Sequence, residues 1–152
     1  MKILMVCLGN ICRSPIAEGI LDKMAGEKGL NWTIESAGTS GFHNGEKPDS
    51  RSIEVADRHG IDISKQRSRK FMQEDFKVFD LILVMDAQNY QNVKALSSNP
   101  KDTEKVNLIL NYTFPNQNRG VPDPYYEGGF DYVFELLQEA CDKVLKSLTN
   151  LD

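Results

Sequence analysis

Near the start of the sequence, Val6-Cys7-Leu8-Gly9-Asn10-Ile11-Cys12-Arg13-Ser14 holds a cysteine, five intervening residues, an arginine and a serine. These residue types at this spacing suit one kind of chemistry: attack of a thiolate on a tetrahedral oxyanion cradled by backbone amides. Cys7 is the candidate nucleophile, because a helix opening near Ser14-Pro15 would turn its positive end toward the sulfur and favour the thiolate. Residues Leu8, Gly9, Asn10, Ile11, Cys12 and Arg13 would point their N–H groups inward as an anion nest, with Gly9 and Asn10 able to take a positive φ. Arg13 offers a planar fork for two phosphoryl oxygens, which a lysine does not. Ser14 is placed to donate its hydroxyl to the Cys7 sulfur, and its position also suits a helix cap. A bare Cys-x5-Arg is common by chance. Its setting between strand and helix, beside Gly9, Asn10 and Ser14-Pro15, is what gives it weight.

Such a loop needs elements to hold it. Lys2 to Val6 reads as a buried strand. Ser14 to Lys28 reads as a helix, with Ile16, Ile20, Leu21 and Met24 at helical spacing and Gly29 as its stop. Trp32 to Ala37 predicts a second strand, followed by a polar loop from Gly38 to Lys47 and a helix from Pro48-Asp49 to about His59. A basic cluster follows at Lys65, Arg67, Arg69 and Lys70. Asp80 to Met85 predicts a third strand, with Asp86 at a helix start, and Val106 to Leu110 a fourth. Thr113 to Gly129, with three prolines and three glycines, predicts a long surface loop. Phe130 to Leu148 carries an apolar face of Val133, Leu136, Leu137, Ala140, Val144 and Leu148 and closes the chain as a helix.

Strands alternating with helices imply an α/β fold of parallel βαβ units, whose ligands sit beyond the carboxyl ends of the strands. Cys7, Ser36, Asp86 and the loop from Thr113 all follow predicted strands and so converge at one end.

Composition narrows the class. The 152 residues suit a single domain spanning 1–152, with an ordinary 40% apolar and 26% charged content. A net charge of -4 argues against a nucleic-acid or membrane-surface binder and leaves phosphate affinity to local amides and arginine. There is no signal-peptide pattern and no apolar run of transmembrane length. Three cysteines, Cys7, Cys12 and Cys141, are an odd set that predicts a reduced, cytoplasmic protein. Cys141 reads as a core residue, and His43 and His59 lack metal-like spacing, so no metal is expected.

The segment Val6 to Glu18 resembles the signature loop of the low-molecular-weight protein tyrosine phosphatases. Glu35-Ser36-Ala37-Gly38-Thr39, Pro48-Asp49-x-Arg51, Gly60-Ile61-Asp62, Asp75-Phe76, Val84-Met85-Asp86 and Asp123-Pro124-Tyr125-Tyr126 extend the resemblance in family order across the chain. It implies a three-layer αβα architecture, Rossmann-like, with a four-stranded parallel sheet and no cofactor. It also implies phosphotyrosyl proteins as partners, a tyrosine kinase among them, with inorganic phosphate or other oxyanions in the loop.

An Asp between two prolines is by itself a turn residue, but the resemblance makes Asp123 the general acid that protonates a phenol of pKa ~10. Leu8, Ile11, Phe42, Tyr125 and Tyr126 would wall an aryl slot. Asn10, Ser14 and Ser36 match a supporting hydrogen-bond network, with Gln66 aligned to its next member, a histidine in many relatives. Cys12 is implied as a reversible disulfide partner for Cys7, and the loop tyrosines as phosphorylation sites. Two rivals share the scaffold. Arsenate reductases need relay cysteines, and residues 80–99 contain none. Protein-arginine phosphatases carry a threonine where this chain has Ile11, whose branched side chain suits an aryl ring better than a guanidinium.

Overall fold

The computed structural model describes residues 1–150, so the last two positions of the expected 1–152 domain lie outside it. Its sheet is built around β1 (Lys2–Cys7), whose Ile3, Leu4, Met5 and Val6 are fully buried because the strand is covered on both faces. β1 pairs in parallel with β2 (Thr33–Gly38) on one side and with β3 (Leu81–Val84) on the other. β4 (Val106–Leu108) pairs in parallel with β3, giving the order β2-β1-β3-β4. The strand order reverses at β1, so its carboxyl end with that of β3 forms a switch point.

Period-two alternation divides the strand side chains between two cores. Ile3, Met5, Leu81 and Leu83 join the residues of α1 (Arg13–Glu27), α2 (Ser50–Arg58) and α7 (Phe130–Thr149). Leu4, Val6, Ile82, Val84, Val106 and Leu108 join Phe71, Phe76, Phe79 and Val93 on the opposite face. The second layer is carried by α3 (Asp75–Val78) and α4 (Ala87–Lys94), and α5 (Pro100–Thr103) leads into β4. Three layers, αβα, result. Cys141 is buried as expected, its thiol 3.7 Å from the Ala17 carbonyl where α7 crosses α1.

Three expectations are corrected. The fourth strand stops at Leu108 because Ile109–Asn111 tightens into a 3-10 turn. The segment from Thr113 to Gly129 is not all loop: Asp123 caps a short helix, α6 (Pro124–Glu127), with its side chain on the Tyr125 N–H. Ser14 is not a cap, because α1 begins one residue earlier with Cys12 in the cap position.

Candidate active site

Residues 8–12 join β1 to α1 at the switch point, and their carbonyls are drawn outward. The N–H groups of Thr39 and Ser40 reach the carbonyls of Cys7 and Leu8, both at 2.9 Å. The Asp49 N–H holds the Ile11 carbonyl at 2.8 Å, and the Ser52 hydroxyl donates to the Cys12 carbonyl at 3.3 Å. An anion nest needs peptides anchored by their oxygens in this way. Gly9 does not take the positive φ; Asn10 does, at 57°. Glycine matters at position 38 instead. A Cβ there would lie 2.8 Å from the Leu8 carbonyl oxygen and 3.1 Å from Asn10 Cβ, so β2 and the loop meet only through a bare Cα.

The Asn10 side chain holds the loop from inside. Its Nδ2 donates to Ser14 Oγ at 2.8 Å and to Ser36 Oγ at 2.9 Å, while its Oδ1 accepts from the Arg69 N–H at 3.0 Å. These bonds satisfy a buried amide and secure its left-handed backbone. Cys7 Sγ accepts the Asn10 N–H at 3.2 Å and lies 3.0 Å from Ser14 Oγ, two contacts that suit a thiolate. Gln66 is not the next member of this network. Its Nε2 donates to the Pro15 carbonyl at 3.1 Å, and the place is taken by Glu18, whose Oε1 accepts the Ser36 hydroxyl at 2.6 Å. Segment 68–71 pairs its backbone with Gly38, Gly45 and Glu46, while the Gln66 N–H turns back to the Ile63 carbonyl.

Arg13 is 3% exposed and links its own loop to two other chain segments. Its Nη1 donates to Asp86 Oδ2 at 2.7 Å and to the Val121 carbonyl at 3.0 Å, and its Nη2 lies 3.5 Å from Asp123 Oδ2. Burial opposes its charge, but Cys7, Asp86 and Asp123 more than offset that and hold the guanidinium firmly protonated. With Nη1 occupied, Nε and Nη2 are the edge left for an oxyanion. Asp86 in turn caps α4 in a reciprocal box with Asn89.

A cleft of about 330 Å³ opens over Cys7 and Arg13 and is lined by Leu8, Ile11, Phe42, Asp123, Tyr125 and Tyr126 among others. The expected residues therefore meet, with Phe42 and Tyr126 standing 84% and 90% exposed at the rim. His43 also lines it, its ring against Gly9 and its Nδ1 2.8 Å from Glu46 Oε2. Arg51 ties the Asp123 loop to α2 by donating to the Tyr125 carbonyl at 3.0 Å and to both oxygens of Asp49. Cys12 is a free thiol pushed up to about 12, by burial first and then by Asp49, Cys7 and Asp123. It stays protonated at neutral pH and does not compete with Cys7.

Glu18, His43, Asp49, Arg51 and Ser52 carry structural weight that the motif alone does not show. Two signals marked Glu18: it closes the segment that resembles the signature loop, and it lies four residues after Ser14 on the same helix face.

The chain as a whole matches known proteins. The family model for low molecular weight phosphotyrosine protein phosphatase matches residues 2–151. A Synechocystis sp. relative named for the low molecular weight protein-tyrosine-phosphatases is 47% identical, the match covering 97% of this chain and 96% of that one. The crystal structure of YfkJ from Bacillus subtilis superimposes with a TM-score of 0.93 at 36% identity, covering 99% of this chain and 95% of that one. DARP, a Drosophila arginine phosphatase, superimposes at 0.91 with 31% identity and complete coverage of both chains, so the backbone alone does not choose between phosphoryl substrates. The chain belongs to the low molecular weight phosphotyrosine protein phosphatase family.

Proposed function

We propose that this chain, as one catalytic domain, hydrolyses phosphotyrosine in proteins and small aryl phosphates through a phosphocysteine intermediate. The Cys7 thiolate attacks phosphorus, forming the S–P bond as the P–O bond to the phenol breaks. Asp123 gives its proton to the departing phenolate oxygen. Arg13 and the loop amides carry the charge of the equatorial oxygens through the transition state. Asp123, now a carboxylate, takes a proton from a water that attacks phosphorus, and the S–P bond breaks to release phosphate. The Ser14 hydroxyl, 3.0 Å from the sulfur, stabilises the thiolate that leaves.

One observation carries this reading: Cys7, Arg13 and Asp123 share a single cleft beneath apolar walls. Ile11 on that wall favours a flat aryl ring over a phosphorylated guanidinium. The free thiols support a reducing, cytoplasmic setting. The same reading has Cys12 capture the sulfenic acid that a peroxide makes of Cys7, as a disulfide with loss of water.

The test is a substrate panel for the purified protein: phosphotyrosyl, phosphoseryl and phosphoarginyl peptides, and arsenate with a thiol reductant. Phosphate release from phosphotyrosine alone is expected. Cys7→Ser abolishes it, and Asp123→Ala slows it roughly 10²–10⁴-fold. Preferred turnover of phosphoarginine would overturn the substrate assignment.

A further inference from the structure

Glu18 lies outside the cleft, yet an unbroken line of hydrogen bonds runs from it to the Cys7 sulfur. Ser36 Oγ donates to Glu18 Oε1 at 2.6 Å, Asn10 Nδ2 donates to Ser36 Oγ at 2.9 Å and to Ser14 Oγ at 2.8 Å, and Ser14 Oγ is 3.0 Å from Cys7 Sγ. The direction of every link follows from its neighbours. The Arg69 N–H points at Asn10 Oδ1, so that atom is the acceptor and both amide hydrogens go to the two hydroxyls. Each hydroxyl then has one hydrogen left. That of Ser14 goes to the sulfur and that of Ser36 to Glu18.

This polarity needs an acceptor at its far end. A carboxylate at Glu18 gives Ser36 a charge-assisted bond and keeps its lone pair toward Asn10. A protonated carboxyl turns to donate its own O–H to Ser36. The Ser36 hydrogen must then find another direction, and it competes with the Asn10 amide that orients Ser14.

We propose that Glu18 is a positioning residue for the nucleophile, its carboxylate setting the hydrogen-bond direction that turns the Ser14 hydroxyl onto the Cys7 sulfur. The proposal rests on Cys7 being the nucleophile. The surroundings make the setting sensitive to pH. Burial raises the Glu18 carboxyl to about 7, Asp22 on α1 and Glu35 on β2 push the same way, and the Ser36 bond and Arg69 pull against them. Arg69 gives limited help, because its guanidinium is held by both oxygens of Asp75 at 3.0 Å. Below about pH 7 Glu18 takes up a proton and the Ser14–Cys7 contact loosens; above it the contact is set.

The experiment compares wild type, Glu18→Gln, Ser36→Ala and the double variant. The rate of Cys7 alkylation by iodoacetamide and the steady-state kinetics on p-nitrophenyl phosphate are measured from pH 5 to 9. Wild type should show a step near pH 7 in Cys7 reactivity, and Glu18→Gln should lack it. At pH 8, kcat should fall about tenfold in Glu18→Gln with KM within twofold, and the two proteins should converge at pH 5.5. The double variant should lose no more than the larger single loss, because both changes cut one line. A pH-independent loss in Glu18→Gln, or single losses that multiply, would reduce Glu18 to passive support and overturn the proposal. Alkylation needs no substrate, so a wild type inactive on aryl phosphates would sink the functional reading while leaving this comparison intact.

Discussion

Replacing Asp86 separates two duties of one carboxylate. Its Oδ2 takes Arg13 Nη1 at 2.7 Å, and its Oδ1 caps α4 by accepting the Asn89 N–H at 2.8 Å. Asn is a good cap but carries no charge; Ala is neither cap nor charge. Breaking a buried ion pair costs about 3–5 kcal/mol, and the 29% exposure of Asp86 brings the expected loss for Asp86→Asn down to about 2 kcal/mol. Asp86→Ala should lose about 1 kcal/mol more, the worth of the cap. At roughly 2–4 °C per kcal/mol for a domain of this size, Tm falls by about 4–8 °C for Asn and by a further 2–4 °C for Ala. Inorganic phosphate should restore part of the difference, because an oxyanion in the loop supplies the negative charge Arg13 has lost. Phosphate should therefore raise the Tm of Asp86→Asn more than that of wild type. Differential scanning calorimetry with and without phosphate reads both effects. An Asp86→Asn protein within 1 °C of wild type (about the scatter of such a measurement), or equal melting of the Asn and Ala variants, would refute the division of duties.

Other outcomes follow from single contacts. Gly38→Ala puts a Cβ 2.8 Å from the Leu8 carbonyl oxygen, so the loop must shift; kcat/KM should fall about 10²-fold in a folded protein, and near-normal kinetics would show that the approach is not needed. Iodoacetamide at pH 7.5 should label Cys7 and spare Cys12, whose thiol is pushed up to about 12; peptide mass spectrometry that finds equal labelling would contradict this. Glu18 also marks stability. Its folded carboxyl sits at about 7, above its usual 4.5, so the native state holds the proton more tightly than the unfolded chain. Wild-type stability should be greatest on this account below the unfolded value and decline as pH rises to about 7, with at most ~3 kcal/mol at stake. Urea midpoints across that range should decline less in Glu18→Gln, and parallel slopes would remove Glu18 from the account.

β1 and β3 were legible as short unbroken apolar runs covered on both faces, and α1 and α7 because burial recurs at helical spacing. The chemistry of Cys7, Arg13 and Ser14 was legible because those residues are adjacent in sequence. What the chain order hid depends on long-range pairing. Gln66 bonds Pro15, 51 residues away, a pairing no local pattern records. Of Gly9 and Asn10, both able to take a left-handed φ, it is Asn10 that does, because partners at Ser36 and Arg69 hold its amide there. The start of α6 at Asp123 was masked by prolines that read as loop but also suit the first turn of a helix.

The Arg13–Val121 bond spans 108 residues, and this has a bearing on synthesis. Chains emerge from the amino end, so Cys7 and Arg13 leave the ribosome long before Asp86, Val121 and Asp123 exist. At ~5–20 residues per second the interval is about 5–20 s. Asn10 lacks its amide partner until Arg69 is made, Arg13 lacks its carboxylates until Asp86 and then Asp123 are made, and until then the cysteines of the loop are open to oxidants and electrophiles. The newborn chain thus carries its most reactive group first and its protection last. Conditions that slow elongation should lengthen that exposure in direct proportion.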